Sequence, residues 1–171
     1  MRSGPTEQTR IDVVKRELTR SLLALVESSE FSVVLYAGRS GWLFGDRQWL
    51  DSTQRNKLVA EARIASIVLE YNPRSGVGRF GVTEDGTRPS SAIEKAMSLK
   101  PKPDAIYLLT DGQFRESNVP EYIRNINRSS LIPVHCLYIS DGSTGGAVEN
   151  VMRSIANDSG GSFRFINNAS P

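Results

Sequence analysis

The stretch that most constrains the fold is an apolar run within residues 104–114 (DAIYLLTDGQF), which ends abruptly in Thr-Asp-Gly. An uninterrupted apolar run of this length is typical of a buried strand in a parallel sheet. Such a strand would deliver the carboxylate of Asp111 to its C-terminal edge. Because ligands of open α/β sheets bind at that edge, the run predicts an α/β fold with a candidate site beside Asp111.

Helical and extended patterns alternate along the rest of the chain. Apolar residues at three- and four-residue steps predict helices over residues 10–27, 53–70, 89–99, 119–127 and 147–157. Apolar runs predict strands over residues 31–37, 41–44, 105–110, 132–139 and 161–166. We therefore expect a three-layer, doubly wound, mostly parallel sheet of about five strands, with the second strand as an antiparallel hairpin partner at the sheet edge.

Composition and charge exclude several classes of function. The 171 residues include 21 Lys and Arg against 19 Asp and Glu, so no large field of one sign favours nucleic acid or an anionic membrane as a partner. No stretch approaches 18 apolar residues, and no apolar signal-peptide core follows Met1, so we expect a soluble protein of unknown compartment. The single cysteine, Cys136, cannot form an internal disulfide and is interpreted as a buried packing residue.

The two ends of the chain differ from its middle. Residues 1–9 (MRSGPTEQT) hold Gly, Pro and polar groups without an apolar period. This pattern predicts a flexible N-terminal arm. We expect one folded domain over residues 10–167 and a C-terminal tail over residues 168–171.

Three motifs carry a resemblance to a known family. They are residues 85–93 (DGTRPSSAI), similar to a G-G-T-x-x-x-x-A-L turn and helix, residues 106–112 (IYLLTDG), and residues 155–163 (IANDSGGSF), similar to a closing I-A-x-x-x-G-G-x-[YF] strand. In this order and spacing, the chain resembles the von Willebrand factor type A (VWA) domain, a Rossmann-like fold. The likeness covers about residues 10–166.

The resemblance implies a metal-ion-dependent adhesion site (MIDAS), in which oxygen ligands from three loops hold a divalent cation. Thr87 corresponds to the threonine of the second loop, and Asp111 to the aspartate after the fourth strand. The first loop should supply D-x-S-x-S. In one register Ser3 aligns with a ligand serine, but Met1 takes the place of the aspartate and Pro5 that of the second serine. In the other register every ligand of this loop lies before Met1.

An incomplete site of this kind should hold a cation weakly. Mg²⁺ requires about six oxygens in octahedral geometry, whereas Thr87 is neutral and Asp111 is the one carboxylate. We expect Mg²⁺ or Mn²⁺ in the intact domain, and weak or no binding in this chain. The alternative interpretation makes Thr87 a cap of the helix that begins at Pro89, and Asp111 a turn residue that accepts hydrogen bonds from backbone amides.

The resemblance also implies that the usual first central strand is missing, between the strands at residues 31–37 and 105–110. Each buried backbone group left unpaired there would cost about 1–3 kcal/mol. Three outcomes are open: the flanking strands pair directly, a second chain fills the gap in a homodimer by strand exchange, or the natural protein starts upstream of Met1. We expect the last for the natural protein, which makes this chain a form truncated at the N-terminus, and one of the first two for the chain itself.

Catalysis has little support in the sequence. His135 and Cys136 are neighbours in one strand, so their side chains point to opposite faces and cannot form a dyad. Residues 76–81 (GVGRFG) match G-x-G-x-x-G but follow a predicted helix instead of a strand. We expect a non-catalytic VWA-like module that binds a protein ligand through an acidic residue of that ligand. The alternatives are a metal-independent interaction scaffold of the same fold, and a small nucleotide- or phosphate-binding enzyme that uses the Gly-rich loop with Asp111.

Overall fold

The computed structural model describes residues 10–37, 39–45, 48–67, 87–110, 114, 116–140 and 146–167. Within these ranges the chain forms helices and strands in an alternating order, which confirms the predicted α/β fold class. In chain order the elements are α1 (Arg10–Leu23), β1 (Glu30–Phe31), β2 (Val34–Tyr36), β3 (Ser40–Trp42), β4 (Leu50–Asp51), α2 (Gln54–Ala65), α3 (Pro89–Met97), β5 (Ile106–Thr110), α4 (Val119–Asn127), β6 (Val134–Ser140), α5 (Ala147–Ser159) and β7 (Phe163–Asn167).

The centre of the fold is a parallel sheet of three strands in the order β5-β6-β7. Leu108 of β5 lies opposite Cys136 of β6, which in turn lies opposite Phe163 of β7. The apolar run that predicted a buried parallel strand is β5, in which Ile106, Leu108 and Thr110 are buried. Its C-terminal end, where Asp111 follows, lies at the same edge as the ends of β6 and β7.

Helices cover both faces of this sheet, so the molecule has three layers. On one face α3, α4 and α5 pack their apolar side chains against β5 and β6, with Ile93, Ile123 and Ile155 almost fully buried. On the other face Val13 of α1 is completely buried among apolar side chains of β6 and β7. Burial of this kind on both faces explains why the sheet strands read as continuous apolar runs.

Two antiparallel strand pairs accompany the parallel sheet. β2 and β3 form the predicted hairpin, and β1 pairs with β4. The single strand predicted over residues 31–37 is therefore two strands, β1 and β2, which pair with different partners. β4, with only two residues, was not predicted, because so short a strand has no periodic pattern.

No backbone pairing joins β2 to β5 among the described residues, and the interval between these two strands is here called the gap. In the described residues these strands belong to different sheets, so the expected direct pairing between them is not found there. The hydroxyl of Tyr36 in β2 instead donates a hydrogen bond to the backbone oxygen of Leu109 in β5, at 2.9 Å. The two strands are thus linked by a side chain and not by a backbone ladder.

The helix ends are set partly by tertiary contacts. α1 ends at Leu23, four residues before the predicted end, and Lys57 of α2 donates hydrogen bonds from Nζ to the backbone oxygens of Leu23 and Leu25. This buried ammonium group satisfies carbonyls that a longer helix would have bonded internally.

α4 has its predicted bounds, and α5 ends at Gly160, whose φ of 74° is a left-handed C-cap. Among the described helices, none combines the length and the apolar composition that a membrane-spanning segment needs.

Candidate functional site

Thr87 lies directly before α3 and forms an isolated parallel β-bridge with Phe114. The residue after it, Arg88, donates its backbone N–H to the oxygen of Ala37 at 2.9 Å. Arg88 is also the N-cap of α3, and its own side chain makes no capping hydrogen bond. The alternative interpretation of Thr87 as the helix cap is therefore wrong. A bridge to residue 114 occupies its backbone instead.

The bridge brings Thr87 close to the segment that follows β5. Phe114 is three residues beyond Asp111 in the sequence, and parallel bridge partners lie about 5 Å apart. Asp111 and Ser3, the other two predicted ligands, lie outside the described residues, as does the Gly-rich loop at 76–81. Of the three predicted ligands, the structure thus describes Thr87 alone.

A carboxylate that the sequence analysis missed lies at the N-terminus of α3. Oε2 of Glu116 accepts a hydrogen bond from the backbone N–H of Ser90 at 3.1 Å. Negative charge at this end of a helix is stabilised by the helix dipole and by the free N–H groups. Glu116 and Ser90 are 26 positions apart in the sequence, so no local pattern predicts their contact. Together with the Thr87 bridge, this hydrogen bond ties the start of α3 to the segment after β5.

The described residues do not by themselves fit a divalent cation. They contain no group of three or more His, Cys, Asp or Glu side chains placed to hold a metal ion. Thr87 offers one neutral hydroxyl oxygen, whereas Mg²⁺ requires about six oxygens and favours carboxylates. Glu116 already accepts the hydrogen bond from Ser90.

The other titratable candidates have structural roles. Nδ1 of His135 accepts the backbone N–H of Ser162 at 3.2 Å, and the imidazole stacks on Tyr107 with 4.8 Å between ring centres. Cys136 points to the opposite face, where it is fully buried, and burial raises the pKa of its thiol to about 12. A thiol held neutral in this way is a poor nucleophile, and it has no contact with the imidazole of His135.

Glu149, in the first turn of α5, is buried and paired. Its Oε1 lies 2.7 Å from an Nη of Arg153, one turn further along α5, and only 6% of the residue is exposed. The guanidinium of Arg153 also lies 4.2 Å from the centre of the Phe163 ring. Arg153 therefore joins α5 to β7.

A cleft of about 400 Å³ lies between α4 and α5, away from Thr87. Its floor is apolar, with Ile123 and Ile155 almost fully buried. An ion pair of 2.6 Å between Arg124 and Asp158 joins the two helices there. The cleft contains none of the residues that the sequence analysis singled out as ligands.

No protein-family model and no curated protein matches the chain. Solved structures do match: a von Willebrand factor type A protein from Catenulispora acidiphila is 18% identical over 94% of this chain, with a TM-score of 0.65. BatB from Bacteroides thetaiotaomicron is 18% identical over 93%, with a TM-score of 0.62, and proximal thread matrix protein 1 from the mussel byssus is 15% identical over 92%, also with 0.62. A further structure of the mussel protein has a zinc-occupied MIDAS motif.

The fraction of the matched protein that this chain covers differs widely from one match to the next. The chain covers 36% of the Catenulispora protein and 38% of the mussel protein, but 80% of BatB. The likeness in each case extends over more than nine tenths of the present chain, so it includes the helices on both faces as well as the sheet. The chain therefore has the fold of von Willebrand factor type A domains.

Proposed function

We propose that the chain is a VWA-like protein-interaction module, that it is not an enzyme, and that its MIDAS is incomplete. The observation that carries this proposal is the parallel bridge between Thr87 and Phe114. It supports a shared site for Thr87 and Asp111, because Phe114 belongs to the segment that begins with Asp111. The zinc-bearing MIDAS of the mussel protein, which has the same fold, is consistent with a cation site at this place.

The proposed ligand is a protein that presents an acidic side chain. In an intact domain, a hard cation held largely by neutral hydroxyls would take a carboxylate oxygen of that ligand as a further ligand. In this chain the candidate ligands are Thr87, Asp111 and, in one register, Ser3. They offer one carboxylate among them, so Mg²⁺ or Mn²⁺ should bind weakly or not at all. A metal-independent scaffold of the same fold remains the second candidate, supported by the lack of a metal-holding group in the described residues.

Calorimetric titration with Mg²⁺ and Mn²⁺ tests the proposal. We expect a dissociation constant of about 1 mM or weaker for the chain, because few protein oxygens replace the hydration shell of the ion. Asp111→Asn should remove any heat of metal binding that the wild-type chain shows, since it neutralises the proposed carboxylate. Asp158→Asn, in the cleft between α4 and α5, is the matched control and should leave the titration unchanged.

Two results would contradict the proposal in different ways. Micromolar affinity that Asp111→Asn abolishes would mean that the MIDAS is complete. Metal binding that Asp111→Asn leaves unchanged would remove Asp111 from the site and contradict the proposed set of ligands. Titration with ATP and NAD⁺ addresses the enzyme alternative, which predicts binding that falls in the Asp111→Asn variant.

A further inference from the structure

Within the part of the chain that the structure describes, one edge of β7 has backbone groups without hydrogen bonds. The N–H of Cys136 donates to the oxygen of Ser162 at 2.7 Å. In this parallel register the backbone groups of residues 162, 164 and 166 therefore face β6. The N–H and C=O groups of Phe163 and Phe165 point away from β6, and among the hydrogen bonds of the described residues none involves them.

The sequence of β7 lacks the features by which natural proteins protect an open edge. Such edges usually carry lysine, proline, a bulge or a covering element. The five residues of β7, FRFIN, contain neither Lys nor Pro, and they pair with Cys136–Ser140 of β6 without an interruption in register. The one charged residue, Arg164, is among the residues whose backbone groups bond β6. An edge of this kind is suited to pair with another strand.

We propose that β7 pairs antiparallel with β7 of a second copy of the chain, about a two-fold axis at Phe165. In that register Phe165 faces its own copy. The N–H and C=O groups of Phe165 point outward, so the two copies can exchange N–H···O bonds there. The two parallel sheets then form one continuous sheet of six strands. This contact lies at the opposite end of the sheet from the gap between β2 and β5, and it does not depend on the MIDAS.

The side chains of β7 favour a second copy over an unrelated peptide. The two-fold register places Arg164 opposite Ile166 of the second copy, so the arginines do not face each other and no like charges meet. Phe163 and Phe165 are each half-buried and pack against Arg153 and Tyr138 respectively. Both are on the same face of β7, and an identical strand alongside would cover more of both rings. An interface that matches itself in this way gives a closed dimer.

Light scattering after size-exclusion chromatography tests the pairing. We expect the mass of the wild-type chain to rise with concentration from 18.9 kDa towards twice that value. Phe165→Pro should abolish the rise, because proline removes the outward N–H but leaves the bonds of residues 164 and 166 to β6. Phe165→Ala is the matched control: it also loses the ring contact with Tyr138 but keeps the N–H, so it should retain more dimer than Phe165→Pro. A single-chain mass for wild type at all concentrations up to about 1 mM would overturn the proposal, as would equal dimerisation of the two variants.

Disulfide cross-linking gives a test that does not depend on the proline variant. A backbone-bonded antiparallel pair has Cα atoms about 5.5 Å apart, which is within the range for a disulfide. Phe165→Cys should therefore form a linked dimer on mild oxidation. Asn167→Cys should not, since its two copies would be about 13 Å apart along the strands. Cross-linking that is equal in the two variants, or absent from both, contradicts the two-fold register. A dimer by strand exchange at the gap would show the same mass but no preference for Phe165→Cys.

Discussion

The side chain of Cys136 shows how strongly this core controls the chemistry of a single residue. Cys136 is fully buried among apolar side chains of the sheet and of the helices that cover it. Ionisation would place a thiolate in this apolar environment, so burial raises the pKa of the thiol to about 12 from an ordinary value of 9.0. The thiol is thus neutral and protected in the folded state.

Cys136 should make stability fall in alkaline solution. In the unfolded chain the thiol loses its proton near pH 9, whereas in the folded chain it keeps the proton until about pH 12. Since the folded state binds more protons in this interval, the free energy of unfolding should decrease with rising pH, by at most about 1.4 kcal/mol per unit. Urea unfolding of wild type and Cys136→Val from about pH 8 to about pH 10, a range that spans the pKa of the thiol in the unfolded chain, measures the effect. Equal pH slopes for the two proteins would contradict it.

Sequence reasoning at this scale succeeded where a residue's environment is set by its own strand. The burial of Cys136 and its separation from His135 follow from the alternation of side chains. The cap role of Thr87 was wrong because its partner, Phe114, lies in a distant segment. The hydrogen bond from Ser90 to Glu116 was missed for the same reason.

At the scale of elements, the turn before β7 packs closely against β6. This close packing depends on a glycine. A Cβ atom at Gly161 would lie 2.1 Å from the backbone oxygen of Val134, far inside van der Waals contact. The same turn carries the N–H of Gly161 to the oxygen of Ala156 at 2.8 Å. The end of α5 and the start of β6 are therefore both fixed by this residue.

Gly161→Ala should destabilise the fold by on the order of 3 kcal/mol, because the new methyl group displaces backbone that cannot yield easily. Gly41→Ala is the matched control, since a Cβ atom there meets nothing within 4 Å. Thermal or urea unfolding of the two variants measures the difference. If Gly161→Ala were no less stable than Gly41→Ala, the close packing of this turn against β6 would be disproved.

Elements were predicted well where a pattern was long and less well where pairing decided the structure. The apolar run predicted β5, and the amphipathic pattern predicted α4. Both predictions lie close to the observed bounds of these elements. The break between β1 and β2 was not visible, because residues 31–37 read as one continuous strand although its two halves pair with different partners. The end of α1 depends on Lys57, which is distant in the sequence.

At the scale of the whole molecule, the gap between β2 and β5 separates two of the sheets formed by the described residues. Tyr36 crosses it with one hydrogen bond to Leu109. The register of β5 turns the backbone groups of Tyr107 away from β6 and towards this side. A further strand placed beside β5 would find these groups in position to pair with it.

The inward-facing amide of Asn127 bears on how the protein can be modified. Asn127 heads an Asn-Arg-Ser triplet, the sequence that oligosaccharide transfer requires. Its side-chain nitrogen is buried and donates to the oxygen of Ile132, while its side-chain oxygen accepts the N–H of the same residue. A glycan could be attached there only before this turn forms, and folding would then be blocked. The triplet is therefore not a glycosylation site in the folded protein.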